Sequence, residues 1–206
     1  SVLFFFFFKK KKTYEIAERL VGTGICIRDR YQDYDTKGLL IFKKEETMPV
    51  LEEALKKGIQ IQTHAIGDRG NKVTLDWYQE AFNSVSKEER KIVDPRWRIE
   101  HSQIITKEDQ IRFKNMEIIA SMQPSHAIGD LHFAPDRLGM ERVGDGYAWR
   151  NLIDLGVLIA GGSDAPVEIG DPLIEFYAAV VRKDLDGYYG EGWHLEQAVS
   201  REEALK

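Results

Sequence analysis

The sequence predicts an α/β fold built on a parallel β-sheet, and three observations carry this prediction. Strand-like runs alternate with segments of helical periodicity from residue 45 to residue 182. The fourth of these runs, residues 156–161, is almost wholly apolar. The runs also end in polar residues, as in α/β proteins that keep their chemistry at the carboxyl ends of parallel strands. Alternating strands and helices are typical of βα units in a parallel sheet.

The elements follow one another in a regular order. Residues 59–62 alternate Ile and Gln as a strand does, and Gly58 ends the helix before them. Thr106 begins a later helix as its N-cap, with Asp109 three places on. A stretch containing Gly, Pro and His, residues 123–145, is predicted to be a long connection. The predicted strands cover 59–64, 97–101, 117–122 and 156–161, and the predicted helices cover 45–57, 71–82, 107–114, 149–155 and 172–182.

The number of βα units indicates part of a barrel. A (β/α)₈ barrel uses about 250 residues for eight units. The chain has 206 residues and places four strands between Gly58 and Arg182, roughly half of such a barrel. We therefore expect an incomplete barrel, with the N-terminal residues too few to supply four more units.

The N-terminal segment, residues 1–33, is atypical. Five consecutive Phe residues precede four consecutive Lys residues, and this pattern has neither helical nor strand periodicity. Homopolymeric T and A tracts encode such runs, so one interpretation is a frameshifted or chimeric terminus. The other is a buried strand with a basic flank. We expect the regular domain to cover residues 34–206.

Composition excludes several classes of protein. The net charge of −5 gives no general attraction to nucleic acid or to an anionic membrane, and no apolar run is long enough to span a bilayer. The single cysteine, Cys26, excludes an internal disulfide framework and is compatible with a reducing cytoplasm. We expect a cytoplasmic protein with a small-molecule partner.

Three polar side chains follow predicted strands and form a candidate metal site. His64 ends the first strand, His101 ends the second, and Asp164 follows the fourth. In a parallel barrel all three converge on one face. Two neutral imidazoles and a carboxylate suit Zn²⁺, which in catalytic sites has three protein ligands and a water. Hydrogen-bonded structural histidines and an Asp-Ala-Pro turn are the alternative interpretation.

Four motifs in order resemble the amidohydrolase superfamily, in the branch of metal-dependent hydrolases that includes N-substituted formamide deformylase. They are HAIGDRG, RIEHSQ, ASMQPSHAIGD and GGSDAPVEIGDPL. The resemblance implies that His64, His101 and Asp164 are metal ligands after barrel strands five, six and eight. It also implies that His126, in the strand-seven motif, lies on the substrate side.

The resemblance further implies hydrolysis of an amide or other C–N bond by a metal-activated water, with Asp164 accepting the water's proton and passing it to the leaving amine. Zinc is the expected ion. Related barrels that share these ligands differ in substrate, so a phosphotriesterase-like activity stays open.

The chain departs from the family pattern in one respect that concerns the metal. The family places a His-x-His pair after strand one, and none of the five histidines in this sequence has that spacing. The sequence therefore resembles the C-terminal half of a larger enzyme. A half barrel exposes sheet edges and apolar helix faces, so we expect a homo-oligomer or association through those edges. The alternative function is a truncated or degenerate homologue that acts as a non-catalytic interaction module.

Overall fold

The computed structural model describes residues 2–4, 30–33 and 35–206. Their centre is a five-stranded sheet in the order β1-β2-β3-β4-β5, in which every pair of neighbours is parallel. The strands are β1 (Val2–Phe4), β2 (Gln60–Ala65), β3 (Arg98–His101), β4 (Ile119–Met122) and β5 (Ile159–Gly161). The predicted α/β fold with a parallel sheet is confirmed.

Helices connect the strands as crossovers. They are α1 (Lys44–Lys57), α2 (Asp68–Ser84), α3 (Lys107–Asn115), α4 (Pro124–Asp130), α5 (Ala134–Leu138), α6 (Met140–Val143), α7 (Trp149–Asp154), α8 (Pro172–Val181) and α9 (Arg201–Ala204), with a 3₁₀ turn at Leu195–Gln197. No described helix combines the length and apolar character that a membrane crossing requires.

Local signals account for the predicted helix ends. Gly58 lies at φ 67°, where glycine has no Cβ to clash, and its N–H bonds to carbonyls of the last turn of α1. The Thr106 side chain accepts a hydrogen bond from the Asp109 N–H, so its predicted role as the N-cap of α3 is confirmed.

The connection after β4 contains more structure than the sequence indicated. Three short helices, α4, α5 and α6, lie within residues 123–145. Each is too short for apolar periodicity to develop, and the prolines that suggested a loop occupy the first turns of α4 and α5. Proline is tolerated there because a first-turn N–H has no partner within the helix.

The N-terminal segment contributes one described strand. β1 pairs with β2 from Val2 opposite Gln60 to Phe4 opposite Gln62. The Lys run at residues 9–12 and Cys26 lie outside the described residues. The proposed boundary at residue 33 stays a prediction.

The core is packed between the sheet and α2. The ring of Trp97, which is fully buried, lies 4.8 Å from the Tyr78 ring and 5.0 Å from the Phe82 ring. Leu75 and Ile99 are also fully buried. This aromatic contact packs α2 against the start of β3.

Asn71 holds together the loops that follow β2 and β3. Its side chain is fully buried, and its Nδ2 lies 3.0 to 3.2 Å from the carbonyl oxygens of Ala65, Ile66, Gly67 and Ile104. Buried carbonyl groups without a donor are costly. Asn71 therefore stabilises the edge of the sheet at which the candidate site lies.

We predict that Asn71→Ala lowers the free energy of unfolding by about 2 kcal/mol, because it removes the buried side-chain hydrogen bonds that join the two loops, while the Ala65, Ile66 and Gly67 carbonyls keep their backbone N–H donors. Equilibrium urea denaturation measures the change. Asn83→Ala, on the exposed end of α2, is the matched control and is expected to cost less than about 0.5 kcal/mol. Equal losses in the two variants would contradict this role of Asn71.

Candidate metal centre

The pairing of β2 with β3 brings two of the predicted metal ligands together. His64 is the register partner of Glu100, and Ala65 is the partner of His101. Partners in a parallel pair share a face, so regular alternation would place His101 on the face opposite His64. The backbone departs from that alternation, with φ 73° at His101 and φ 47° at Ser102. The two imidazole rings lie 4.5 Å apart in an edge-to-face arrangement.

Gln123 fixes the orientation of the His101 ring. His101 is buried, and its Nδ1 lies 2.9 Å from Oε1 of Gln123, the residue between β4 and α4. The Gln123 amide nitrogen faces the Ser121 carbonyl at 3.5 Å, which leaves its oxygen as acceptor for the ring N–H. With the proton on Nδ1, the lone pair of His101 is on Nε2. Metal-binding histidines are commonly oriented by this kind of hydrogen bond.

His126 extends the histidine pair into a cluster of three. Its ring stacks on the His101 ring, and the two ring centroids are 5.6 Å apart. His126 therefore lies next to the other histidines. Its Nε2 is buried and has no hydrogen-bond partner among the described residues. The nearest carboxylate oxygen, Oε1 of Glu168, is 3.6 Å away.

Asp164 lies on the loop after β5, close enough to His64 for each group to affect the pKa of the other. Burial raises the pKa of the half-buried Asp164 carboxyl, and the His64 imidazole lowers it in part. Its backbone has φ 57°, a second left-handed position among the predicted ligands. Such positions cost about 1–3 kcal/mol each for non-glycine residues and cluster at functional sites.

The three histidines are held in their neutral form at neutral pH. Burial lowers the pKa of His64, His101 and His126 to about 4, and each ring's pKa is lowered further by another ring of the cluster. Part of the His64 surface is exposed, and neighbouring groups shield the rest of its ring from water. Neutral imidazole is the state that binds a metal.

The donor chemistry of this cluster fits a divalent metal, but the ligands are not gathered into a coordination sphere. Within the described ranges, no group of three His, Cys, Asp or Glu side chains is arranged to hold a metal ion. The structure thus brings His64, His101 and His126 together and places Asp164 within electrostatic reach of His64. Their assignment as ligands and as a substrate residue stays a prediction.

Three further residues belong to this neighbourhood and were not predicted as part of it. Gln123 directly follows β4. The expectation that polar residues at strand ends belong to the site therefore applies to Gln123 as well. Glu168 reaches His126 only through the fold of the loop after β5. Glu100 is the register partner of His64 and shares its face, and burial raises the pKa of the Glu100 carboxyl.

Comparisons with known proteins agree with this geometry. The sequence profile of the Amidohydrolase family matches residues 18–206. The chain is 31% identical over 188 residues to the protein named "Putative amidohydrolase YtcJ" from Bacillus subtilis strain 168, covering 91% of this chain and 34% of that protein. It is 33% identical over 180 residues to Protein LONG AFTER FAR-RED 3 of Arabidopsis thaliana, covering 85% of this chain and 30% of that protein.

Two solved structures share the fold. An uncharacterized metal-dependent hydrolase from Pyrococcus furiosus superposes with a TM-score of 0.72 at 29% identity, covering 90% of this chain and 35% of that one. Another from Pyrococcus horikoshii OT3 gives a TM-score of 0.74 at 28% identity, covering 90% and 36%. The prediction of a partial barrel is confirmed, and the chain spans about a third of the length of these relatives.

A half-buried carboxyl, that of Asp130 at the end of α4, connects α4 to the loop after β3. Oδ2 of Asp130 accepts hydrogen bonds from Gln103 Nε2 at 2.7 Å and from the Tyr147 hydroxyl at 2.5 Å. Burial raises the pKa of Asp130 to about 6, and these two hydrogen bonds oppose the rise. The folded chain therefore prefers Asp130 protonated at mildly acidic pH.

We predict that Asp130 contributes most to stability below about pH 4 and that this contribution falls as the pH rises through about 6, because its pKa is higher in the folded than in the unfolded chain. Asn at this position does not titrate. Asp130→Asn should therefore gain up to about 3 kcal/mol in unfolding free energy relative to wild type between pH 4 and pH 7. Urea denaturation at several pH values measures the difference in unfolding free energy between Asp130→Asn and wild type. Both proteins contain the same histidines, so the histidine contributions cancel in this difference.

The control for this experiment is Asp136→Asn, which removes one negative charge from an exposed position of α5. A pH-independent difference between wild type and Asp130→Asn would contradict the raised pKa of Asp130.

Proposed function

Because this chain belongs to the amidohydrolase family, we propose that it forms the metal-binding and proton-transferring part of a hydrolase that cleaves amide or other C–N bonds. The observation that carries this proposal is the contact between the His64 and His101 rings at the carboxyl ends of β2 and β3, with His101 oriented by Gln123. Neutral imidazole is the state in which a ring nitrogen can bind a metal ion.

His64, His101 and Asp164 would hold the metal. The rotation of the His101 ring toward His64 and the electrostatic coupling of His64 to Asp164 support this set. Two imidazoles, one carboxylate and a water are a ligand set that catalytic zinc uses, so zinc is the ion we propose. The similarity to two metal-dependent hydrolases from Pyrococcus species supports a metal in general.

Asp164 would transfer the proton. When bound, the metal would supply a polarised carbonyl and a water of lowered pKa. Asp164 would accept the proton of that water and pass it to the leaving amine, which completes cleavage of the C–N bond. Burial raises the pKa of Asp164 toward the range in which a carboxyl exchanges protons efficiently.

His126 would contact the substrate. It stacks on His101, and its buried Nε2 has no hydrogen-bond partner in the described part of the chain. A polar group of a bound substrate would provide that partner. N-formyl and N-acyl amines are the substrates we propose, in line with the motifs that resemble N-substituted formamide deformylase.

The cysteine content bears on the cellular compartment. We place the protein in the cytoplasm on the basis of its single cysteine, Cys26.

Zinc content tests the proposed metal site. The purified chain should contain zinc in near-stoichiometric amount by elemental analysis, and His64→Ala and Asp164→Asn should each lose most of it because each removes one of three ligands. His194→Ala, a histidine remote from the cluster, is the matched control and should keep the metal. Equal zinc content in all four proteins would contradict the assignment.

Activity on N-formyl and N-acyl amines separates the enzyme from its alternative, a non-catalytic interaction module. The lack of a gathered three-ligand group among the described residues is the observation that favours that alternative. Hydrolysis by the zinc-loaded chain that falls at least a hundredfold in Asp164→Asn would support the enzyme. Zinc binding with no turnover of any amide would support the module.

We also propose that the chain associates through the free edge of its sheet. The outer side of β5 has no strand partner among the described residues, and nearby Leu158, Val167 and Leu173 are 55%, 71% and 74% exposed. Unpaired edges and apolar patches favour association. Analytical ultracentrifugation should find a dimer or larger species, and Leu158→Lys should shift it toward monomer. A monomer at all concentrations would contradict this proposal.

A further inference from the structure

An acidic cavity lies beside the histidine cluster, on the far side of His126. It has a volume of about 210 Å³ and is enclosed by α4, the loop after β5, the first turn of α8 and the loop after α8. Drug-sized ligands occupy about 300–1,000 Å³, so this cavity suits one arm of a substrate.

Carboxylates dominate the polar part of its lining. Glu168, Glu175 and Asp184 all face the cavity, and none of the described residues that line it is lysine or arginine. His132 is the one basic group, with its Nε2 2.9 Å from Oδ2 of Asp184. The cavity therefore has a surplus of negative charge.

The three carboxylates differ in the number of hydrogen bonds that they accept. Asp184 has its His132 partner and accepts hydrogen bonds from the N–H groups of Asp186 and Tyr188 at 3.1 and 2.7 Å. Glu175 accepts one, from the Ser125 N–H at 2.9 Å. Glu168 has only the 3.6 Å approach of His126, beyond hydrogen-bond distance. Burial and the charges of Glu175, Asp130 and Asp164 raise the pKa of Glu168.

A second observation points to a ligand. Ser125 lines the cavity and is 3% exposed, and its Oγ has no hydrogen-bond partner among the described residues. A buried hydroxyl without a partner costs free energy unless a ligand satisfies it. Glu168 and Glu175 thus have carboxylate oxygens with capacity to spare beside the unpartnered Ser125 hydroxyl, and a primary ammonium has N–H groups to donate to such oxygens.

The remaining lining is aliphatic. Ile128 and Ile174 form the inner wall, while Ile169 and Leu185 lie at the mouth, where they are 80% and 59% exposed. This combination suits an alkyl stem that ends in a charged nitrogen, as long basic side chains do when they bury the stem and keep the head polar.

We propose that the acidic cavity binds an alkylammonium group. As an extension of the proposed function, on which this part rests, the substrate carries that group on the side away from the scissile C–N bond. The cavity then acts as a specificity subsite that selects cationic N-acyl amines, and the approach of Glu168 to His126 at 3.6 Å connects it to the histidine cluster.

Binding of n-butylammonium chloride to the metal-free 206-residue chain tests the proposal, with 1-butanol as the neutral probe of matched length. Titrations followed by ¹H–¹⁵N NMR should give saturable shifts at the amides of Ser125, Glu168 and Glu175. We expect the ammonium probe to bind at least tenfold more tightly than 1-butanol, because charge-assisted hydrogen bonds replace neutral ones.

Glu168→Gln should weaken n-butylammonium binding roughly tenfold while leaving 1-butanol unaffected, since this change removes the charge and breaks no hydrogen bond of the fold. Glu45→Gln, on the exposed side of α1, is the matched control and should bind like wild type. If Glu168→Gln does not fold, Ser125→Ala supplies the test, because it keeps the N–H bond to Glu175. Equal affinity for the two probes, or unchanged binding in a folded cavity variant, would overturn the proposal.

This experiment needs neither metal nor turnover, so its outcome is independent of the proposed function. Selective ammonium binding in a chain that holds no zinc would support the cavity and contradict the metal site. Zinc-dependent hydrolysis without selective ammonium binding would support the metal site and contradict the cavity proposal.

Discussion

The site depends on one constraint, the parallel pairing of β2 with β3 combined with a left-handed backbone where β3 ends. Parallel pairing brings both strand ends to the same edge of the sheet. The positive φ of His101 then places its ring against His64, where strict alternation would have separated the two. The Asn71 hydrogen bonds and the Gln123 contact hold this arrangement from either side. The neutral state of the histidines follows from the burial that this packing produces.

The sequence predicts the sheet well because its information is local. Alternating Ile and Gln, the Gly58 stop and the Thr106 cap each act within one turn or one strand, and the structure contains each of them. The placement of His64 and His101 at the same edge of the sheet also follows from topology alone, whereas the contact between their rings does not. The short helices after β4 could not be predicted, since their few residues cannot display a period and their prolines indicate a loop as readily as a helix start.

The parts of the site that escaped prediction depend on long-range contacts. Glu168 approaches His126 only because the loop after β5 folds over α4, and Ser125 faces a cavity whose other wall is α8. Glu100 is the register partner of His64 and shares its face, whereas alternation counted from His101 would separate the two, because the backbone leaves the strand conformation at His101. The pattern of polar and apolar residues thus does not reveal a left-handed backbone at the end of a strand.

The central claim is that His64 and His101 present their lone pairs to one metal ion. Long-range ¹H–¹⁵N NMR of the histidine rings during a zinc titration tests it most directly, because a metal-bound ring nitrogen shifts while the protonated nitrogen of the same ring stays a donor. The account predicts shifts at His64 and at Nε2 of His101 that saturate together near one equivalent of zinc, with His194 unaffected. Zinc that shifts only His132 or His194, or that leaves His64 and His101 unchanged, would contradict it.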